Sequence, residues 1–423
     1  MKKKSICVIS FSPIYLDARV LRQIKYLSNH YYINVIGYGP AHPDFAAKDD
    51  IKWFSIDNEN RQKNSLTQNN KINLFKNKTI NNKIVKSIRI INRQLKTLSS
   101  FLLLCLGRFH PFFYEFWYWK QKYRKKALRN AIESKCNAFH ANDWNSLPMA
   151  AKAAEILNAK LIFDAHEYAP LELENRWYWK PLFQPMITYF LKKYSSKINA
   201  SITVAPAISQ RYREEFGLNP QVILNTPERV FLKKKYSNSN EIRLVHHGGA
   251  IRDRKLENLI KTLAFCDNRF SLHFILLKND LVYIKSLMIL SEKIAPYKIK
   301  FYEPVSPERI VERISEYDMG FYLLEPNSFN NIAALPNKFF DFIAAGLAIC
   351  IGPSPSMAEF VKKYGIGCVA PSFEPKIVAE TLNQFKKEDI IKMKEASRKA
   401  SKYLNAENEM KKLINLYNNI LMF

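Results

Sequence analysis

ICVISFSPIYLDARVLRQIKYLSNHYYINVIGYG, residues 6–39, decides the fold. ICVISF (6–11) is a short apolar run of strand type. Asp17 then opens a segment in which Val20, Leu21, Ile24 and Leu27 recur at helical spacing. INVIGYG (33–39) is a second strand. Strand, helix and strand within so short a stretch form a βαβ unit, and that unit implies a parallel sheet. The start, MKKKSICVISFSPIY, has the basic head of a signal peptide, but its apolar run is short, alternates like a strand and stops at Pro13. It is read as a strand.

The pattern returns. AFHA (138–141) reads as a strand, SLPMAAKAAEILN (146–158) as a helix and KLIFDAH (160–166) as a strand. SITVAP (201–206) follows, then the helix ISQRYREEF and the strand QVILN (221–225). TPERVFLKKKYSNSNE (226–241) is polar and turn-rich, the best linker in the chain. A second α/β series begins with IRLVHHG (242–248), the helix LENLIKTLAFC and SLHFILL (271–277), and continues through KIKFYEP, DMGFYLL and AICIGP. AENEMKKLINLYNNILMF (406–423) closes the chain as an amphipathic helix. At 423 residues the chain exceeds one ordinary core and suits two domains of roughly 200 residues each. The expectation is an α/β protein of two doubly wound halves, residues 1–226 and 227–405, with 406–423 crossing back onto the first. Such sheets bind ligands at the carboxyl ends of their strands, so the site belongs in the cleft where the halves face one another.

The net charge is +27, which favours anionic partners. From Arg61 to Lys135 there are 18 lysines and arginines against Glu115 and Glu133 alone. This insertion in the first half, about 60–135, also carries Leu102, Leu103, Leu106, Phe109, Phe112, Phe113, Phe116, Trp117 and Trp119. Aromatic anchors with basic flanks suit an anionic membrane surface. The plainer reading is a helical hairpin that packs its aromatics inward and leaves its lysines in water. Nucleic acid is not expected, because no DNA- or RNA-binding motif accompanies the charge. No uncharged apolar run reaches about 18 residues, so no membrane-spanning helix is expected. The six cysteines are dispersed, with no CxxC pair, as in a reduced cytoplasmic chain with buried thiols.

Two clusters fall just past strand ends of the first half. They are His140, Asn142 and Asp143 in FHANDW, and Asp164, His166 and Glu167 in FDAHEY. A single such residue is often only a cap or loop hydrogen bond. Two clusters on neighbouring strands point to a site, where a histidine can meet a sugar hydroxyl or a developing phosphate charge. In the second half, HHGGAIRDRKLENLI sets Gly248 and Gly249 after a strand, then Arg252, Arg254 and Lys255, then a helix. Glycines let a ligand approach the backbone, and a helix start with basic side chains favours phosphate. There is no GxGxxG and no P-loop pattern, so nicotinamide and ATPase chemistry lack their signatures.

The other pole is ALPNKFFDFIAAG (334–346). Pro336 suits the first turn of a helix, and Asn337 stands beside it. Lys338 lies in that turn, where the helix dipole normally disfavours a cation, which makes sense if an anion binds there. Asp341, one turn deeper on the same face, could hold a diol; the plain alternative is a surface ion pair with Lys338. Gly346 reads as the helix C-cap.

In these motifs and their order the chain resembles the family 4 glycosyltransferases, retaining enzymes of the GT-B fold that assemble bacterial surface polysaccharides and glycolipids. DARVLRQIKYL, FHANDW, FDAHEY, VILNTPE, HHGGAIRDRKLENLI, LPNKFFDFIAAGLAICIGPSP and GIGCVAP carry the resemblance, which covers most of the chain outside 60–135. It implies a UDP- or GDP-sugar donor held mainly by the second domain, with Gly248, Gly249, Asn337 and Asp341 as donor-binding residues. Arg254 and Lys338 would neutralise the diphosphate and His166 would stand near the transferred sugar, these three being the catalytic set. Asp143, Asp164 and Glu167 would lie on the acceptor or sugar side. No metal and no cofactor is implied, and the chain has no DxD motif. The acceptor would be a lipid-linked glycan, and the protein peripheral on the cytoplasmic face of the cell membrane. The chain departs from the family in three places: SFSPIYLD (10–17) replaces the usual glycine-rich first loop, Ala348 stands at a usual proline, and where a second acid usually precedes the one at Asp341 by eight residues this chain has Ala333, with Asn330 or Asn331 as the substitute. The last departure keeps open a second reading, a catalytically weak or inactive GT-B subunit that supports a partner enzyme.

Overall fold

A computed structural model describes residues 3–57, 94–95, 97–232 and 240–421. The chain divides into two units, one of Met1–Ile202, Arg211–Gln221 and Leu416–Phe423, the other of Thr203–Gln210 and Val222–Asn415.

The first sheet comprises β1 (Ser5–Pro13), β2 (Tyr32–Tyr38), β3 (Ile51–Ser55), β4 (Ala138–Asn142), β5 (Lys160–Ala165), β6 (Ala200–Thr203) and β7 (Gln221–Val222). Their order in the sheet is β3-β2-β1-β4-β5-β6-β7, so the direction of winding reverses between β1 and β4. β1 runs parallel to both β2 and β4, and β4 to β5. The helix Ala18–Ser28 starts at Asp17, whose Oδ1 accepts the Val20 N–H at 3.2 Å. Its buried face carries Val20, Ile24 and Leu27, and also Arg19 and Gln23.

The second sheet comprises β8 (Ile242–Gly249), β9 (Phe270–Leu277), β10 (Ile299–Tyr302), β11 (Met319–Tyr322), β12 (Ala348–Ile351) and β13 (Gly367–Val369). The order is β10-β9-β8-β11-β12-β13, all neighbours parallel, with the reversal between β8 and β11. Near-continuous apolar strands such as AICI in β12 are what a parallel sheet covered on both faces requires.

Three expectations change in detail. QVILN shortens to the two residues of β7, because the Leu224 N–H is taken by the Glu409 carboxylate at 2.9 Å instead of a strand. β3 and β13 are strands that the apolar pattern did not announce. β3 is a half-exposed edge and β13 spans only three residues. Pro336 stands just outside its helix, Asn337–Ala344, and not within the first turn.

Of the insertion, residues 58–93 and 96 lie outside the described residues, as do 233–239 of the linker. The remainder is helical over 97–107, Phe112–Trp119 and Lys122–Glu133. It divides its apolar residues between two faces. Leu104, Tyr114 and Tyr118 are buried, and Arg124 lies over the Tyr118 ring at 3.9 Å. Trp117 meets Phe183 edge to face. Leu98, Leu102, Leu106, Phe112 and Phe116 are exposed, and Phe109 is 88% exposed. All six cysteines are free thiols. The last helix, Ala406–Leu421, contributes Tyr417 and Asn418 to the first unit, where Asn418 Oδ1 accepts from the Tyr31 hydroxyl at 2.6 Å.

Candidate functional site

In the second unit the candidate residues gather at the carboxyl ends of β8 and β11, the switch point where a doubly wound sheet opens a crevice. β8 ends in Gly248 and Gly249. Gly248 has φ +104°, a conformation side chains rarely adopt, and a Cβ there would lie 3.7 Å from the Lys338 amine. Asn279 clamps the next residue on both sides. Its Oδ1 accepts the Ala250 N–H at 2.9 Å, and its Nδ2 donates to the Ala250 carbonyl at 3.0 Å.

The basic residues after the glycines divide. Arg252 is engaged by Asp280 at 2.8 Å, and Lys255 by Glu325 at 2.6 Å. The Arg254 side chain has no carboxylate partner among the described residues and is half-buried. Of these three cations the fold pairs two with carboxylates and leaves Arg254 without one among the described residues.

The helix Asn337–Ala344 brings the other wall. Phe339, Phe340, Phe342 and Ile343 are fully buried, each worth about 1.5–3 kcal/mol, which offsets the cost of drawing Lys338 out of water. Gly346, at φ +67°, ends the helix and lets the Leu347 N–H reach back to the Phe342 carbonyl. Lys338 is only 6% exposed. Its Nζ lies 3.0 Å from His246 Nε2 and 4.5 Å from the centre of the Tyr322 ring. Burial, with Arg254 adding like charge, holds the Lys338 pKa well below the usual lysine range. Asp341 Oδ2 stands 3.6 Å from His247 Nε2. Burial and the Lys338 charge push His247 down to about 3, so that imidazole is neutral. Asn337 is exposed at the helix start and its Oδ1 accepts from Asn225 Nδ2 at 2.6 Å. Ala333 is completely buried, and Asn331 is tied to Asn327 and to the Glu325 carbonyl.

The first unit holds a second cluster, at the ends of β4 and β5. Asp164 is fully buried and takes a two-pronged contact from Arg19 (Nε 3.0 Å, Nη2 2.8 Å) and a hydrogen bond from Gln23 at 2.5 Å. Burial opposes its ionisation, but the Arg19 and His166 charges win and hold its pKa well below the usual carboxylate range. His166 is partly exposed and lies between two carboxylates, Nδ1 3.3 Å from Asp143 and Nε2 3.3 Å from Asp164. Burial works against its charged form, yet these two carboxylates hold its pKa well above the ordinary histidine value. The cluster thus presents an imidazolium. Asp143 reaches it from a left-handed backbone (φ +62°) at the end of β4, a conformation an Asp tolerates and that concentrates at working sites. His140 is buried behind, its Nδ1 2.7 Å from the Tyr417 hydroxyl. Glu167 has exposed surface, but desolvation by the surrounding protein, with Glu172 and Asp143 nearby, pushes its carboxyl up to about 7.

Each expected residue thus has a place. Gly248, Gly249, Lys338 and Asp341 converge in one unit, while Asp143, Asp164 and His166 converge in the other. Sequence reasoning missed Arg19 and Gln23, His246, Asn279 and Tyr322. A signal existed for two of these: Arg19 and Gln23, four residues apart on the apolar face of their helix, are polar where only packing was needed.

No protein-family profile matches the chain, and no curated protein matches it. Solved structures do. A glycosyltransferase from Rickettsia africae superposes with a TM-score of 0.66 at 12% identity, covering 100% of this chain and 99% of that one. HepE from Anabaena, in complex with UDP, gives 0.64 at 12% identity over 98% of this chain and 100% of that one. Sucrose-phosphate synthase from Thermosynechococcus elongatus gives 0.65 at 10% identity, covering 99% and 100%. At such identities the likeness is one of fold: the chain has the two parallel sheets of the GT-B glycosyltransferases.

Proposed function

We propose that the protein is a retaining, metal-independent glycosyltransferase that moves a sugar from a UDP- or GDP-sugar to a hydroxyl of a lipid-linked glycan in bacterial surface polysaccharide or glycolipid synthesis. The observation that carries the reading is the anion pole at the β8–β11 switch point. There the Gly248–Gly249 backbone, the uncommitted Arg254 and the buried Lys338 converge. Phosphate oxygens meet the backbone and the two cations, and Asp341 accepts hydrogen bonds from the ribose hydroxyls. As the sugar–phosphate bond breaks, charge grows on the departing diphosphate, and Lys338 and Arg254 stabilise it from fixed positions. The scheme needs no protein nucleophile, because the acceptor attacks from the face the nucleotide leaves. His166, charged and held by Asp143 and Asp164, orients the sugar. That HepE holds UDP, in a structure of like fold, supports a uridine donor.

Purified protein given a panel of nucleotide sugars with lipid acceptor should release nucleotide with at least one donor. Asp341→Ala should weaken nucleotide affinity by roughly 10- to 100-fold, the worth of a hydrogen bond to a charged group. Unchanged affinity in a folded variant would remove Asp341 from the site. The buried Ala333 and the tied Asn331 favour the second reading, an inactive GT-B subunit. No turnover with any donor would select it.

The acceptor reading comes with a surface. No helix among the described residues is long and apolar enough to cross a membrane. The exposed row Leu98, Leu102, Leu106, Phe109, Phe112 and Phe116, within the most basic part of the chain, docks the protein on the anionic cytoplasmic leaflet as a peripheral protein. Burying one such aromatic in lipid is worth about 1.5–3 kcal/mol, so the double variant Phe109→Ser, Phe112→Ser should bind anionic liposomes at least about tenfold more weakly. A preference of the wild type for duplex DNA over liposomes at equal salt would refute the membrane docking.

A further inference from the structure

His246 faces Lys338 within the second unit, and its ring is oriented by the main chain. Its Nδ1 lies 2.9 Å from the Phe321 carbonyl oxygen, which can only accept, so Nδ1 carries a hydrogen. In the neutral ring Nε2 is then a bare acceptor, 3.0 Å from Lys338 Nζ. Both groups are buried, and among the described residues His246 is the only hydrogen-bond partner of the Lys338 amine. Two bases so close share one hydrogen between them, so the pair carries at most a single positive charge.

We propose that His246 is a positioning residue for Lys338 and that a nucleotide-sugar diphosphate, on binding, draws one proton from solvent onto the Lys338 amine, making donor affinity pH-dependent. The step forms one N–H bond at Nζ and takes its proton from the buffer. The inference rests on Lys338 meeting the donor phosphate, as proposed above.

The groups around the pair agree in direction. Arg254, from the turn after β8, and His247, beside His246 on the same strand, both face it. Tyr322 on β11 offers only a ring. Asp341, one turn along the Lys338 helix, is the acid among the described residues that favours the charged amine. Burial first, and then like charge, lowers both: Arg254 acts on Lys338, and Lys338, His247 and Arg254 act on His246. A diphosphate reverses the balance and raises the lysine. Affinity is then full at low pH, where Lys338 is already charged. It falls as pH rises between the pKa of the free site and that of the occupied one.

Titration calorimetry of the full chain with UDP-glucose and with GDP-mannose, in Hepes and in Tris at equal pH, tests this. Both diphosphates are esterified at each end and do not titrate near neutrality. The wild type should take up between about half and one proton per site somewhere between about pH 6.5 and 8.5, with Kd rising up to about tenfold per pH unit. Lys338→Met should bind more weakly, with no buffer dependence. His246→Leu removes the acceptor that supports the ammonium, so the pH at which affinity falls should move down by about one unit while the low-pH plateau persists. His246→Gln, which restores an acceptor oxygen, should bring it back toward the wild-type position. A merely structural role would lower affinity equally at every pH. Tight donor binding whose enthalpy is the same in both buffers across the range overturns the proposal, as does equal proton uptake by Lys338→Met. Failure of every nucleotide sugar to bind overturns instead the functional reading beneath it.

Discussion

Asp164→Ala is expected to destabilise the first unit by about 3–5 kcal/mol, the cost of breaking a buried ion pair by removing one partner. The carboxylate is fully buried, and three elements converge on it: the helix Ala18–Ser28 through Arg19 and Gln23, β4 through His140, and the turn after β5 through His166. Its removal takes the two-pronged partner from Arg19, itself only 4% exposed. For a unit of this size the loss should appear as a fall in the melting midpoint of roughly 6–20 °C. Asp164→Asn, which keeps the shape and some hydrogen bonds, should lie between. The effect has a pH signature. The Asp164 pKa is depressed in the fold, so its stabilisation is present above the unfolded carboxylate value near about 4 and is lost as pH falls through the folded one. The gap between wild type and variant should therefore be widest near neutrality and shrink in acid. A shift below about 2 °C at neutral pH would show that the cluster does not anchor the unit.

The fold was legible because parallel sheets write themselves plainly. ICVISF, KLIFDAH, SLHFILL and AICIGP are apolar runs that only a sheet covered on both faces can use, and helical spacing fills the gaps between them. The placement of the candidate residues was legible in part for a similar reason: Gly248–Gly249, Asp143 and His166 each follow a strand end, the edge where such sheets carry ligands. Partnership was not legible. Nothing in IRDRK tells that Arg252 will find Asp280 and Lys255 will find Glu325, because those acids are set by the β9 turn and the loop after β11. Nor does FHAND tell that His140 will meet Tyr417, 277 residues away. Asp164 read as a group on the sugar side, and in three dimensions it stands behind His166 with Arg19 and Gln23 upon it. Sequence spacing locates a side chain on an edge, but the neighbours that consume its lone pairs come from elsewhere in the chain.

Lys338→Met is expected to lower turnover with the best donor by roughly 10²- to 10³-fold, the usual cost of removing one fixed charge-stabilising donor from a buried site. Met fits the position: it is unbranched, matches the lysine stem in length and suits a helix whose neighbours Phe339, Phe340 and Phe342 are buried. Replacing a buried amine by an apolar side chain also removes the cost of desolvating it, so the melting midpoint should hold or rise. That separates loss of chemistry from loss of fold. Lys338 is distinguished from the surface cations around it by its surroundings. Arg252 and Lys255 spend their charge on Asp280 and Glu325, and Arg252→Ala or Lys255→Ala should leave turnover within about threefold, as expected of exposed ion pairs. Lys338 is backed by a neutral imidazole and a tyrosine ring, neither of which quenches its charge, and it borders the Gly248 backbone with no side chain between. In the function proposed above, a cation so placed meets the donor phosphate with no ion-pair partner among the described residues. Nucleotide release by the variant within about threefold of wild type would show that the diphosphate leaves by way of other groups, Arg254 first among them.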